Sequence, residues 1–101
     1  MGIDAKLQTE DGKTIEEVFD PQSLFQRLLP FDDERSSCLR FVDPYGDTTF
    51  NQRQIPFLVK ELEIAIKNLR DADAKKQGEK VLRLVKKATD EPHVYIKFIG
   101  D

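Results

Sequence analysis

Catalytic and metal-binding chemistry draws on a short list of side chains, and this chain is poor in most of them. It holds one Cys (Cys38) and one His (His93) against 19 Asp and Glu. A structural zinc site takes four Cys, His or carboxylate ligands at characteristic spacings, and Cys38 and His93 are too far apart in sequence to form such a pair. Carboxylates remain as donors for magnesium or calcium: Asp32, Asp33 and Glu34 share one stretch, and Asp43 and Asp47 flank another. Neither stretch has the ligand spacing and closing Glu of a calcium loop, so a solvated acidic loop and turn-forming aspartates are the favoured reading and no metal is expected. Ser36, Ser37 and Cys38 adjoin, but a nucleophile needs a base within hydrogen-bond reach, and the sole His precedes the last apolar run. The five glycines stand singly at 2, 12, 46, 78 and 100, which leaves no glycine-rich phosphate loop. No cofactor is called for.

Three other groups of residues suit binding rather than catalysis. Lys76, Lys80, Arg83 and Lys87 recur at four, three and four, one stripe of a helix opposite Val81 and Val85, and such a stripe suits an anionic partner. With a pI near 5.2 and no aromatic inside the stripe, a solvated face is the default and nucleic acid is disfavoured. In the segment Asp43-Pro44-Tyr45-Gly46-Asp47-Thr48-Thr49-Phe50-Asn51, the polar groups either bond the local backbone, with Gly46 free to take positive φ, or present Tyr45, Asp47, Asn51 and Arg53 as a recognition surface. The acidic loop Asp32-Asp33-Glu34 is a further candidate contact. Phe57 and Ile64, seven apart, share a helix face pointing away from the stripe Leu58, Leu62, Ile66. They are either buried by a sandwiched helix, the favoured reading, or given to an interface with another chain, as in a homodimer.

The elements that must position these groups follow from periodicity. Ile3, Ala5 and Leu7 alternate with polar residues as a strand, Glu10 to Lys13 turns, and residues 14 to 19 return as a hairpin arm. Asp20-Pro21 reads as the N-cap and first residue of a short helix carrying Leu24, Phe25, Leu28 and Leu29, ended by Pro30. Cys38 to Val42 is rich in strand formers and is expected at the centre of the sheet, with a brief pairing at 48 to 50. A helix begins near Pro56 and runs to about Arg70, a second follows to about Thr89, and the two form an antiparallel hairpin. Val94, Ile96 and Phe98 are the inward face of a terminal strand. The fold class is α+β: a small, mainly antiparallel or mixed sheet of three to five strands, with a helical hairpin and one short helix packed on it.

Composition bounds the rest. The 101 residues carry 16 Lys and Arg and a net charge of −3, enough chain for a single domain spanning 1 to 101. No apolar run approaches the roughly 18 residues of a membrane span, and the N-terminus has no signal-peptide pattern. With a lone Cys, a reducing cytoplasm is the expected setting. The charge is uneven: residues 1 to 50 sum to −6 and residues 51 to 101 to +3, which means internal ion pairing or a polarised surface.

The phrase Leu-Arg-Phe-Val-Asp-Pro-Tyr-Gly-Asp-Thr-Thr-Phe-Asn at 39 to 51, with the ending Asp-Glu-Pro-His-Val-Tyr-Ile-Lys-Phe-Ile-Gly-Asp, resembles a set of small uncharacterised bacterial proteins of about this length. The resemblance implies a bacterial cytoplasmic setting and brings no activity or site residues with it. The leading functional reading is therefore a small non-enzymatic binding or regulatory protein that contacts another protein through a polarised surface. The alternatives are a metal-dependent hydrolase using the loop carboxylates, with His93 as acid or base, and anion or nucleic-acid binding by the basic helix.

Overall fold

The computed structural model describes residues 2–30 and 33–101. Its elements follow as β1 (Ile3–Thr9), β2 (Thr14–Val18), a 3-10 turn at Phe25–Leu28, a second at Leu39–Phe41, β3 (Asp47–Phe50), α1 (Ile55–Asn68), α2 (Ala72–Thr89) and β4 (Val94–Gly100). The strands make one antiparallel sheet in the order β2-β1-β4-β3, so the α+β expectation holds.

The sheet is built on two strands with the same alternation. β1 and β4 pair along their whole length, Ile3 opposite Gly100 to Thr9 opposite Val94, and each buries every second residue. Ile3, Ala5 and Leu7 thus share the covered face with Val94, Ile96 and Phe98. Gly12 takes φ +87° in the β1–β2 turn, a conformation that glycine tolerates best. On the open face a charge ladder crosses all four strands. Lys6 stands opposite both Glu17 and Lys97 in register, and the like-charged central pair is flanked by Glu17 at 3.8 Å from Lys6 and Asp47 at 3.4 Å from Lys97.

On the covered face α2 packs against β1, β2 and β4, and α1 packs against α2 and both 3-10 turns. Asp71 starts α2 by accepting hydrogen bonds from the N–H groups of Asp73 (2.9 Å) and Ala74 (3.3 Å), as an N-cap should. Beneath the helices Phe25 stacks on Phe98 at 5.3 Å between ring centroids, and Phe50 meets Phe98 edge-on at 5.9 Å.

Four expectations are corrected. Cys38–Val42 is not a central strand: Cys38, Leu39 and Val42 are buried while Phe41 is exposed, a helical rather than a two-residue period, and the segment forms a 3-10 turn. The short helix after Asp20-Pro21 shrinks to Phe25–Leu28. Asp20 does cap it, accepting from Leu24 N (2.8 Å) and Phe25 N (3.1 Å), but its Oδ2 also accepts from Ile3 N (3.0 Å), so the carboxylate is shared between the turn and β1. Gly46 is not among the positive-φ residues; the nearest group a Cβ there would meet is the exposed Asp43 carboxylate, at 2.7 Å. Finally, α1 is not sandwiched: Phe57 and Ile64 are 58% and 62% exposed, because α1 buries only the stripe of Ile55, Leu58, Leu62 and Ile66.

The hairpin contact itself runs through Gly78 of α2, where a Cβ would lie 2.7 Å from Leu28 Cδ2 and 2.9 Å from Ile66 Cγ1. Gly78→Val should therefore destabilise the fold by about 1–3 kcal/mol despite the better helix propensity of valine. At roughly 4–8 °C per kcal/mol for a domain of this size, thermal unfolding should show a clear drop in Tm.

Candidate functional site

The densest polar site among the described residues is centred on a side chain that the sequence reading passed over, Glu61. It lies on α1 between Phe57 and Ile64, on the same stripe, and faces the chain segment that follows Arg35. Its Oε1 accepts from the Ser36 hydroxyl and from Leu39 N (3.1 Å). Its Oε2 accepts from Ser37 N (3.0 Å), Ser37 Oγ (3.1 Å) and Cys38 N (3.0 Å). Ser36 Oγ in turn accepts from Arg40 N at 3.0 Å. The second 3-10 turn has no side-chain cap of its own, and the donors at its start are satisfied by a carboxylate from another element, the role an N-cap residue usually fills locally. Burial pushes the Glu61 carboxyl up, but the Ser36 hydroxyl and the Leu39 and Ser37 N–H groups outweigh it and hold the carboxyl below its ordinary range.

Beside this carboxylate lies a cleft of about 540 Å3 between α1 and the residues around the first 3-10 turn. Its apolar walls include Leu28, Leu29, Leu39, Ala65, Leu69 and the exposed Ile64, and its rim includes Arg27, Asp33 and Arg35. The rim charges are already matched. Arg27 pairs with Asp71, and Arg35 Nε meets Asp33 Oδ1 at 3.1 Å, a hydrogen bond that holds the Asp33 carboxyl below its ordinary range. Next to the cleft the Cys38 thiol is buried, and its pKa is raised first by that burial and then by the charge of Glu61, so at neutral pH it is a protonated hydrophobe.

The residues singled out from sequence do not converge. Asp43 accepts from Tyr45 N (2.8 Å), Asn51 from Arg53 N (3.0 Å) and Gln54 N (3.2 Å), and Asp47 pairs with Lys97. Their roles are those of backbone-shaping and strand-edge residues, and they leave Tyr45 as a 78% exposed ring and Arg53 exposed. Of the acidic loop, Asp33 binds Arg35, Glu34 is exposed and Asp32 lies outside the described residues. His93 Nδ1 is 2.9 Å from Glu10, and among the described residues no hydrogen bond or ion pair joins it to Ser36, Ser37 or Cys38. Among the described residues no group of three His, Cys, Asp or Glu is placed to hold a metal. Neither Asp33 nor Glu34 forms an ion pair with the basic helix, whose Lys87 binds Glu16 of β2 at 2.8 Å. Two signals pointed to Glu61. It sits midway between two unpartnered apolar residues on one helix stripe, and the Ser36-Ser37 pair has donors in need of an acceptor.

No protein-family model, curated protein or solved structure matches the chain. No helix of the described residues is long and apolar enough to cross a membrane.

The depressed Glu61 pKa fixes a pH dependence. A carboxyl whose folded pKa lies below its unfolded value of roughly 4.3 adds stability above that value and loses it as pH falls through the folded pKa. Glu61→Gln should thus lower stability by about 2–3 kcal/mol near neutral pH, and the gap from wild type should narrow below about pH 4. Thermal melts of both proteins between about pH 3 and 7 would read this directly.

Proposed function

We propose that the protein is a small, non-enzymatic cytoplasmic protein that binds another protein through the α1 face made by Phe57, Ile64 and the adjoining cleft. The observation that carries this reading is two large apolar side chains, each well over half exposed, flanking the carboxylate that holds the cleft's polar wall in place. Interfaces concentrate their affinity in such apolar anchors set beside a pocket and deplete their centres of charge. Covering Phe57 and Ile64 would contribute on the order of 2–4 kcal/mol of favourable transfer. The charges around the cleft support the same reading: Glu61, Arg27, Asp33 and Arg35 each have an internal partner, so the attraction on offer is apolar rather than ionic. This moves the contact from the acidic loop to the helix. Of the carboxylates a hydrolase would use, Asp33, Asp43 and Asp47 are each engaged in a separate backbone or ion-pair contact.

Ile64→Glu and Phe57→Ser separate the possibilities, since both sites are exposed and should leave Tm nearly unchanged. The expected result is that wild type sediments as a monomer at micromolar concentration. It should retain a stoichiometric partner from its native lysate through a wash at high salt, and both variants should lose that partner. Wild type and variants retaining the same proteins would contradict the proposal, and a wild-type dimer dissociated by Ile64→Glu would assign the face to self-association instead.

A further inference from the structure

The basic stripe of α2 divides into a paired and an unpaired part. Lys87 reaches both carboxylate oxygens of Glu16 (2.8 and 2.9 Å), and Lys86, on the flank, reaches Glu63 of α1 at 3.7 Å. Lys76, Lys80 and Arg83 are exposed, and among the described residues they take part in none of the ion pairs. Their backbone positions advance along one helix face by about 6 Å and then about 4.5 Å.

The fold adds an aromatic ring that the helix sequence lacks. Gln77 Nε2 donates to the Phe19 carbonyl at 2.8 Å, fixing the residue after β2 against α2. Phe19, whose side chain is 61% exposed, lines with Lys76 and Lys80 a depression of about 270 Å3. The acids of that depression are Asp20, engaged by three backbone N–H groups, and Asp73, which makes no ion pair among the described residues.

A row of free cations suits a ligand whose negative charges repeat along a chain, and an exposed ring beside the row suits a flat π-face. An acidic polypeptide carries a ring only where its sequence places one, whereas a single-stranded nucleic acid has a π-face beside every phosphate, and proteins that bind single strands combine these two devices. We propose that α2 and Phe19 form a second binding surface, for single-stranded nucleic acid, with Lys76, Lys80 and Arg83 on phosphates and a base stacked on Phe19. Asp73 and the net charge of −3 oppose the anion, which places binding in the low-salt regime.

The chain has no Trp, so F19W carries the only indole and reports stacking through its emission. The probes are an oligo(dT) of about 12 nucleotides and polyglutamate, titrated between about 20 and 150 mM salt. The oligonucleotide should quench F19W and polyglutamate should not. Affinity should fall with salt at a log–log slope of about −2, and Lys80→Ala should reduce that slope by about 0.7 without moving Tm. Phe19→Ala should weaken binding about tenfold with the slope unchanged. Absence of binding at the lowest salt would overturn the proposal. So would polyglutamate binding as tightly as oligo(dT) with Phe19→Ala neutral, which would make the stripe a surface for acidic polypeptide.

Discussion

The structure between the β-hairpin and α1 depends on one electrostatic arrangement: the carboxylate of Glu61 meeting the donors of residues 36 to 39. Each backbone N–H removed from water without an acceptor costs about 1–3 kcal/mol, and the partly buried N–H groups of Cys38 and Leu39, with the exposed one of Ser37 beside them, all point at the same side chain. Neither the 3-10 turn nor its neighbours in sequence supply that acceptor. The turn that buries Leu39 and Val42 is thus tied to the docking of α1 beside it.

Asp20 repeats the device at the first 3-10 turn. Buried between β1 and that turn, it accepts from Ile3, Leu24 and Phe25, and its own N–H donates to Asp4 at 2.8 Å. The molecule thus has a regular half, the β1–β4 ladder with the helical hairpin, and an irregular half from about residue 19 to 46 whose two short turns are held by carboxylates. Seen this way, the −6 carried by the first 50 residues is in large part internal. Asp4, Asp20, Asp33 and Asp43 all accept from backbone N–H groups, while Glu16 and Glu17 pair with lysines. Among the side chains left outward-facing are the apolar pair Phe57 and Ile64 on α1 and the cations Lys76, Lys80 and Arg83 on α2.

The regular half was legible because its signals are local. Two-residue alternation in 3–9 and 94–100 and spacings of three and four in 55–68 and 72–89 each report burial on one side of an element, and burial decided those elements. The irregular half was not, because its decisive contacts are long-range. Cys-Leu-Arg-Phe-Val has strand propensity, yet a carboxylate 22 residues beyond Leu39 determines its conformation. The same holds for the sites. Thr48 and Asn51 were correctly seen as bonding the local backbone, whereas the pairing of Asp47 with Lys97, the role of Glu61 and the placing of Phe19 near Lys76 depend on which elements are neighbours. Phe57 and Ile64 were recognised as anomalous from spacing alone, but their exposure could be decided only by where α2 packs.

The claim that Glu61 organises the irregular half is tested most directly by amide hydrogen exchange, residue by residue, in wild type and Glu61→Gln. The account predicts that Ser37, Cys38 and Leu39 are protected in the wild type and exchange much faster in the variant, while Ala5 and Ile96 in the β1–β4 ladder keep their protection. Unchanged protection at residues 37 to 39 in Glu61→Gln would contradict it.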